Sequence, residues 1–142
     1  MKNYVRLVLL LLLAAACKKE VSPNPVQPPV SNSIENASIA GTGKIIFSEE
    51  GNQGSTATIY LRKDGIYVLA LEQMDYKTAF DMNVYISQTG QLSTSSIKLF
   101  SAKTFSGNMY VALPPGINIA AFRHLIIQND TQAKPAASAT IA

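Results

Sequence analysis

The sequence predicts an all-β protein: an antiparallel β-sandwich or barrel-like single domain behind a signal peptide and a Pro-rich linker. Three observations carry that expectation. Short apolar runs recur from residue 43 onward with turn-forming residues between them, the spacing of a sandwich or barrel. The run Thr56 to Arg62 alternates strictly, with Ala57, Ile59 and Leu61 on one face and Thr58, Tyr60 and Arg62 on the other. That is the pattern of a half-buried strand. Helical periodicity is weak everywhere after residue 16.

The chain opens with Lys2 and Arg6, followed by an unbroken apolar run of ten residues, Leu7 to Ala16. A spanning helix needs roughly 20 apolar residues to cross about 30 Å of hydrocarbon. A run of ten fits the apolar stretch of a secretory signal instead. It ends in Ala14, Ala15 and Ala16, small enough for a signal-peptidase cleft, and Cys17 follows as the only cysteine of the chain. This order resembles the lipobox of bacterial lipoproteins. Ala14 stands where that pattern prefers leucine, and Leu13 lies one place earlier. The resemblance implies cleavage after residue 16, a thioether-linked lipid on the Cys17 sulfur, and acyl anchoring in the outer membrane of a bacterial envelope. More than one acyl chain gives stable anchoring where a single chain does not. An unpaired cysteine in an exported chain is otherwise unusual. The short charged run Lys18-Lys19-Glu20 is similar to the surface-export signal of Bacteroidetes-type lipoproteins. It reads equally as the solvated start of a linker, so the periplasmic and the surface-exposed side both stay open.

Residues 17–33 form the linker. Pro23, Pro25, Pro28 and Pro29 remove backbone donors and favour extended polyproline conformation. At about 3 Å per residue such a spacer reaches some tens of ångströms. Residues 34–142 then make one domain with one core. Removing residues 1–16 takes Lys2 and Arg6 with it, so twelve basic residues become ten against nine acidic ones. The mature chain is near neutral and has no basic stripe, which argues against nucleic acid as a partner.

Within the domain the first expected strand is Gly43 to Ser48, around Ile45 and Phe47. Thr56 to Arg62 comes next, and Asp64-Gly65 makes a hairpin turn into Ile66 to Leu71, which is apolar on both faces like a central strand. Met82 to Gln88 places Val84 and Ile86 on one face, Asn83 and Tyr85 on the other. Ile97 to Phe100, Asn108 to Leu113, and His124 to Gln128 follow. A last strand at Ala136 to Ile141 is expected as a weak edge or a frayed tail. Turns are expected at residues 50–54, at Thr89-Gly90, at Ser106-Gly107-Asn108 and at Pro114-Pro115-Gly116. Gln73 to Ala79 and Asn118 to Arg123 are the places where a helical turn is expected.

The order of these segments resembles the DM-thirteen domain family of exported bacterial and animal extracellular proteins, over roughly the stretch from Gly41 to the end. The similar residues are Gly54-Ser55-Thr56-Ala57-Thr58-Ile59-Tyr60, then Asp81-Met82-Asn83-Val84-Tyr85-Ile86-Ser87, then Ile97 and Leu99, Gly107, Tyr110, Leu113 and Pro114, and Leu125-Ile126-Ile127. The resemblance implies a β-domain. It also brings a proposed role in electron transfer, which leans on a cysteine in the late strand. Here Gln128-Asn129-Asp130 follow Ile127 without a cysteine. A redox or metal accessory role is therefore the alternative reading, and no haem or iron–sulfur ligand set is legible.

Few residues suggest chemistry. His124 is the only histidine and has no identifiable catalytic or metal-binding partner. It is expected to be structural. Asp81 opens the best-matched motif, either as a ligand or calcium oxygen donor or, more simply, as a cap for backbone donors in a turn. Tyr60 and Tyr85 lie on expected polar faces, where aromatic side chains either bind sugar rings or a partner or pair across strands. Asp81 and Tyr85 are the candidate binding residues. No nucleophile elbow or phosphate-cradling loop is present in the sequence. The expectation is a lipid-anchored, non-catalytic domain with no cofactor and no metal, held at the membrane by Cys17, with an envelope glycan or protein as its partner.

Overall fold

The computed structural model describes residues 33–49 and 54–142. The leader, Cys17 and the proline run lie outside the described residues. Every regular element described is a strand: β1 Ser38–Lys44, β2 Ile46–Phe47, β3 Thr56–Leu61, β4 Tyr67–Ser87, β5 Ile97–Ala112, β6 His124–Gln128 and β7 Ala137–Thr140. All pairings are antiparallel.

The expected hairpin forms between β3 and β4, in register from Thr56 opposite Glu72 to Leu61 opposite Tyr67. Its turn differs in detail from an Asp-Gly turn with two positive φ angles. Only Gly65 has positive φ, at 82°, and its N–H donates to the Arg62 carbonyl at 3.0 Å. The Ile66 N–H donates to Asp64 Oδ1 at 3.2 Å. This is a three-residue loop closed by a left-handed glycine.

Two pairs of expected strands are in fact single long strands. Ile66 to Leu71 and Met82 to Gln88 are the two ends of β4, 21 residues long. Ile97 to Phe100 and Asn108 to Leu113 are the two ends of β5, 16 residues long. So Gln73 to Ala79 is strand, not a helical turn, and Ser106-Gly107-Asn108 does not end a strand. The reason is that β4 bends through bulges instead of breaking. At the first, Gln73 takes φ 56°. Its N–H donates to Asn108 Oδ1 at 3.0 Å and its carbonyl accepts from Ser55 Oγ at 2.9 Å. Asn108, expected as a turn-former, instead holds the partner strand's bulge. Ser55 is fully buried to do the same.

The bend lets β4 serve two neighbours besides β5. Its first third pairs with β3 and its last third with β6. The sheet runs β1-β3-β4-β6-β7-β2, with β5 on β4. Because β1 and β2 are one stretch of chain interrupted at Ile45, the two ends of that order meet. Thr42 exchanges backbone hydrogen bonds with Ala142 at 3.0 and 3.1 Å, and the Ser48 N–H donates to the Ala136 carbonyl at 2.8 Å. Ile46 faces Ser138 and Phe47 faces Ala137 in the same register. The result is a sheet almost closed as a barrel, which removes most strand edges. Of the two alternatives for the tail, a weak edge strand or a frayed end, the strand forms, as β7 Ala137–Thr140, and it closes the sheet instead of standing at its edge; the first strand starts at Ser38, earlier than Gly43.

Closure requires a glycine. A Cβ on Gly43 would lie 2.1 Å from the Thr140 carbonyl oxygen, so any other residue pushes the two backbones apart. Inside the barrel Ile59, Leu69, Leu71, Val84, Ile86, Phe105, Leu125 and Ile127 are fully buried. Phe105 anchors an aromatic row. Its ring centroid lies 6.2 Å from Phe100 and 6.1 Å from Tyr76, and Tyr76 lies 5.1 Å from Phe47. Tilted rings at these spacings add stabilisation beyond the area they bury. The outer edge of β5 carries no strand among the described residues. Lys98 and Lys103 lie along that strand, the kind of charge that discourages edge pairing.

Candidate functional site

The two candidate binding residues lie on one strand but do different things. Tyr85 sits in the last third of β4, opposite Ile126 of β6 and Lys98 of β5. Its hydroxyl donates to Asp130 Oδ1 at 2.6 Å. Burial, then that hydrogen bond and the Asp130 charge, push the phenol above its usual range. The same bond, with a further one from Asn83 and the charge of Lys98, holds the Asp130 carboxyl below the usual range. Asn83 Oδ1 also accepts from Ser101 Oγ at 2.6 Å. Together these side chains tie the segment after β6 to the face of β4.

Asp81 is exposed and lies inside β4, with no turn before it. Its carboxylate makes no hydrogen bond to another described residue, so the turn-capping role does not apply. Its main-chain carbonyl accepts from Asn129 Nδ2 at 3.2 Å. His124 starts β6 as expected. It faces Ser87 and Thr140, with Nδ1 3.3 Å from Thr140 Oγ1. Asp81 and Ser87 are six residues apart along β4, roughly 20 Å at the usual rise. Asp81 and His124 therefore sit at opposite ends of the β4–β6 pairing and share no site.

Tyr60 and Tyr85 do not form an aromatic pair either. Tyr60 lies on β3, opposite Val68 and Ile39. Its hydroxyl donates to Glu72 Oε1 at 3.1 Å. Thr56 and Thr58 both donate to Glu72 Oε2, at 3.1 and 2.8 Å. Thr42 extends the row, 3.2 Å from Thr58. Burial, then the hydrogen bond and charge of Glu72, raise the Tyr60 phenol above its usual range. Each tyrosine thus covers apolar side chains on the outer face of the sheet. Val68, Ala70 and Ile126 are fully buried there although they lie outside the barrel core.

A different part of the molecule is open. Between Lys77, opposite Thr104, and Met82, opposite Ala102, the β4–β5 register slips. Four β4 residues, Thr78 to Asp81, face the single β5 residue Lys103. The slip turns Phe80 outward, leaving it 63 % exposed. Beside it lies a cleft of about 900 Å³. Phe47 and Tyr76, the outer end of the aromatic row, form part of its lining. Glu49, Asp75, Lys77 and Lys134 place charge around it. Burial and then Glu49 push the Tyr76 phenol up. Of the expected site residues neither Asp81 nor Tyr85 lines this cleft.

Comparison of the chain with protein-family models, with curated proteins and with solved structures finds no match. The cleft was missed in the sequence because residues 73–79 read as a break between strands. One signal was present: the stretch from Ile66 to Thr89 holds no glycine or proline. Such a stretch has nothing to end a strand.

Proposed function

We propose that this chain is a lipid-anchored protein of the bacterial envelope whose β-domain binds an envelope component without transforming it. The observation that carries the proposal is the head of the sequence. A ten-residue apolar run ends in three alanines and the sole cysteine, and a proline-rich spacer precedes the domain. A tether and a spacer serve a domain that must reach something near a membrane. A cleft of about 900 Å³, in the roughly 300–1,000 Å³ range of ligand sites, supports binding as the activity.

Cys17→Ser is the direct test. Wild-type chain is expected in the membrane fraction with the mass of its acyl chains. Cys17→Ser is expected to lose the acyl mass, and any of it that is cleaved of the apolar run to leave the membrane fraction. Retention of membrane association and adduct mass by Cys17→Ser would falsify the anchor.

A further inference from the structure

We infer that the cleft beside the Thr78–Asp81 bulge is a binding site for an uncharged oligosaccharide, with Phe80 as its stacking platform. This rests on the envelope-binding reading above and adds the site and the ligand class.

Bulges re-aim side chains and recur next to functional sites. This one exposes a large aromatic side chain that regular pairing would hold in line with its neighbours. Phe80 is among only three large apolar side chains so exposed among the described residues, with Ile39 and Ile46. It alone stands at a cleft whose lining includes two further rings, Phe47 and Tyr76. Tyr76 is braced from behind by the fully buried Phe105, so the aromatic wall beside Phe80 is held in place.

The charges select the ligand class. Among the described residues, two carboxylates, Glu49 and Asp75, and two ammonium groups, Lys77 and Lys134, line the cleft, and their formal charges cancel. A polyanion would meet the carboxylates and a polycation the lysines. A sugar hydroxyl is both donor and acceptor, so it uses carboxylate and ammonium alike. The C–H face of a pyranose suits an aromatic ring. A strand-adding peptide needs a regular ladder edge. Thr78 to Phe80, which line the cleft, lie where the β4–β5 ladder register is lost, and the free edge of this sheet belongs to β5.

Calorimetric titration of the full chain in detergent tests this. Neutral gluco-, manno- and N-acetylglucosamine oligosaccharides form one arm and extended peptides the other. Saturable binding of a neutral oligosaccharide is expected. Phe80→Ala should weaken it about tenfold or more, as loss of an aromatic anchor does. Tyr60→Phe, on another face, should leave it unchanged. Glycan binding that Phe80→Ala does not touch would overturn the site and leave envelope binding standing. Peptide binding lost in Phe80→Ala would overturn the ligand class. Failure to bind any neutral oligosaccharide would overturn the inference. The broader reading falls as well only if detergent-solubilised envelope components also fail to bind the chain.

Discussion

The two ends of β4 and its middle treat their outward side chains in opposite ways. At the first end Glu72 collects hydrogen bonds from Thr56, Thr58 and Tyr60. At the last end Tyr85 and Asn83 hold Asp130. In the middle, Thr78 to Asp81 slip out of register and Phe80 points into solvent. Outward polarity alone is therefore a poor guide to function here. Polar residues that satisfy one another across strands brace the sheet. The bulge, where the cross-strand ladder is interrupted, is the place that turns a large ring outward.

The largest test of that contrast lies at the barrel seam, where the bracing is most complete. Gly43→Ala puts a methyl 2.1 Å from the Thr140 carbonyl oxygen. The neighbour is backbone and cannot swing away. The expected cost is about 3 kcal/mol or more, the upper end for overpacking, read as a loss of roughly 10 °C or more in Tm. A Gly43→Ala domain as stable as wild type would mean the seam is not closed in solution.

Glu72→Ala is expected to have an intermediate effect. It removes the acceptor that Thr56, Thr58 and Tyr60 share, leaving the buried Thr58 only the Thr42 hydroxyl as a partner. Unmet buried hydroxyls cost about 1–3 kcal/mol, measurable by denaturant unfolding. By contrast, Phe80→Ala should move stability by less than about 0.5 kcal/mol, as surface changes do. If Phe80→Ala costs more than Glu72→Ala, the bulge is a packing element and the contrast collapses.

Legibility in the sequence follows the same division. The β3 and β4 hairpin was readable because alternation and an Asp-Gly turn are local signals. His124 was placed correctly at the head of its strand by the apolar run after it. What was not readable is non-local. The continuity of β4 depends on Ser55 and Asn108 capping Gln73 from 18 and 35 residues away. The closing role of Ala137–Thr140 depends on β1 and β2 lying about 90 residues earlier in the chain. Asp81 stood out because it opened a motif, yet the residue one place before it carries the exposed ring. Tyr85 stood out as an exposed aromatic, yet its hydroxyl is engaged 45 residues away with Asp130. Polar patterning showed which side chains face outward and could not show which of them meet.

The smallest expected effect separates bracing from binding at Tyr85 itself. The Asp130 carboxyl sits below its usual range, chiefly through the Tyr85 hydrogen bond. A depressed carboxyl stabilises the fold above the ordinary aspartate value near 3.8 and loses that contribution as pH falls through its lowered value. Tyr85 sits above its usual range. It stabilises the fold below the ordinary phenol value of about 10 and loses that contribution as pH rises through its raised value. Tyr85→Phe should therefore move the Asp130 titration, followed by carboxyl carbon NMR, upward toward the ordinary value. It should also flatten stability against pH at both extremes, while leaving the neutral-pH fold and oligosaccharide binding intact. An Asp130 titration identical in wild type and Tyr85→Phe would show that the pair is not formed. Loss of oligosaccharide binding in Tyr85→Phe would return Tyr85 to the ligand site and move recognition from the bulge to the braced face of β4.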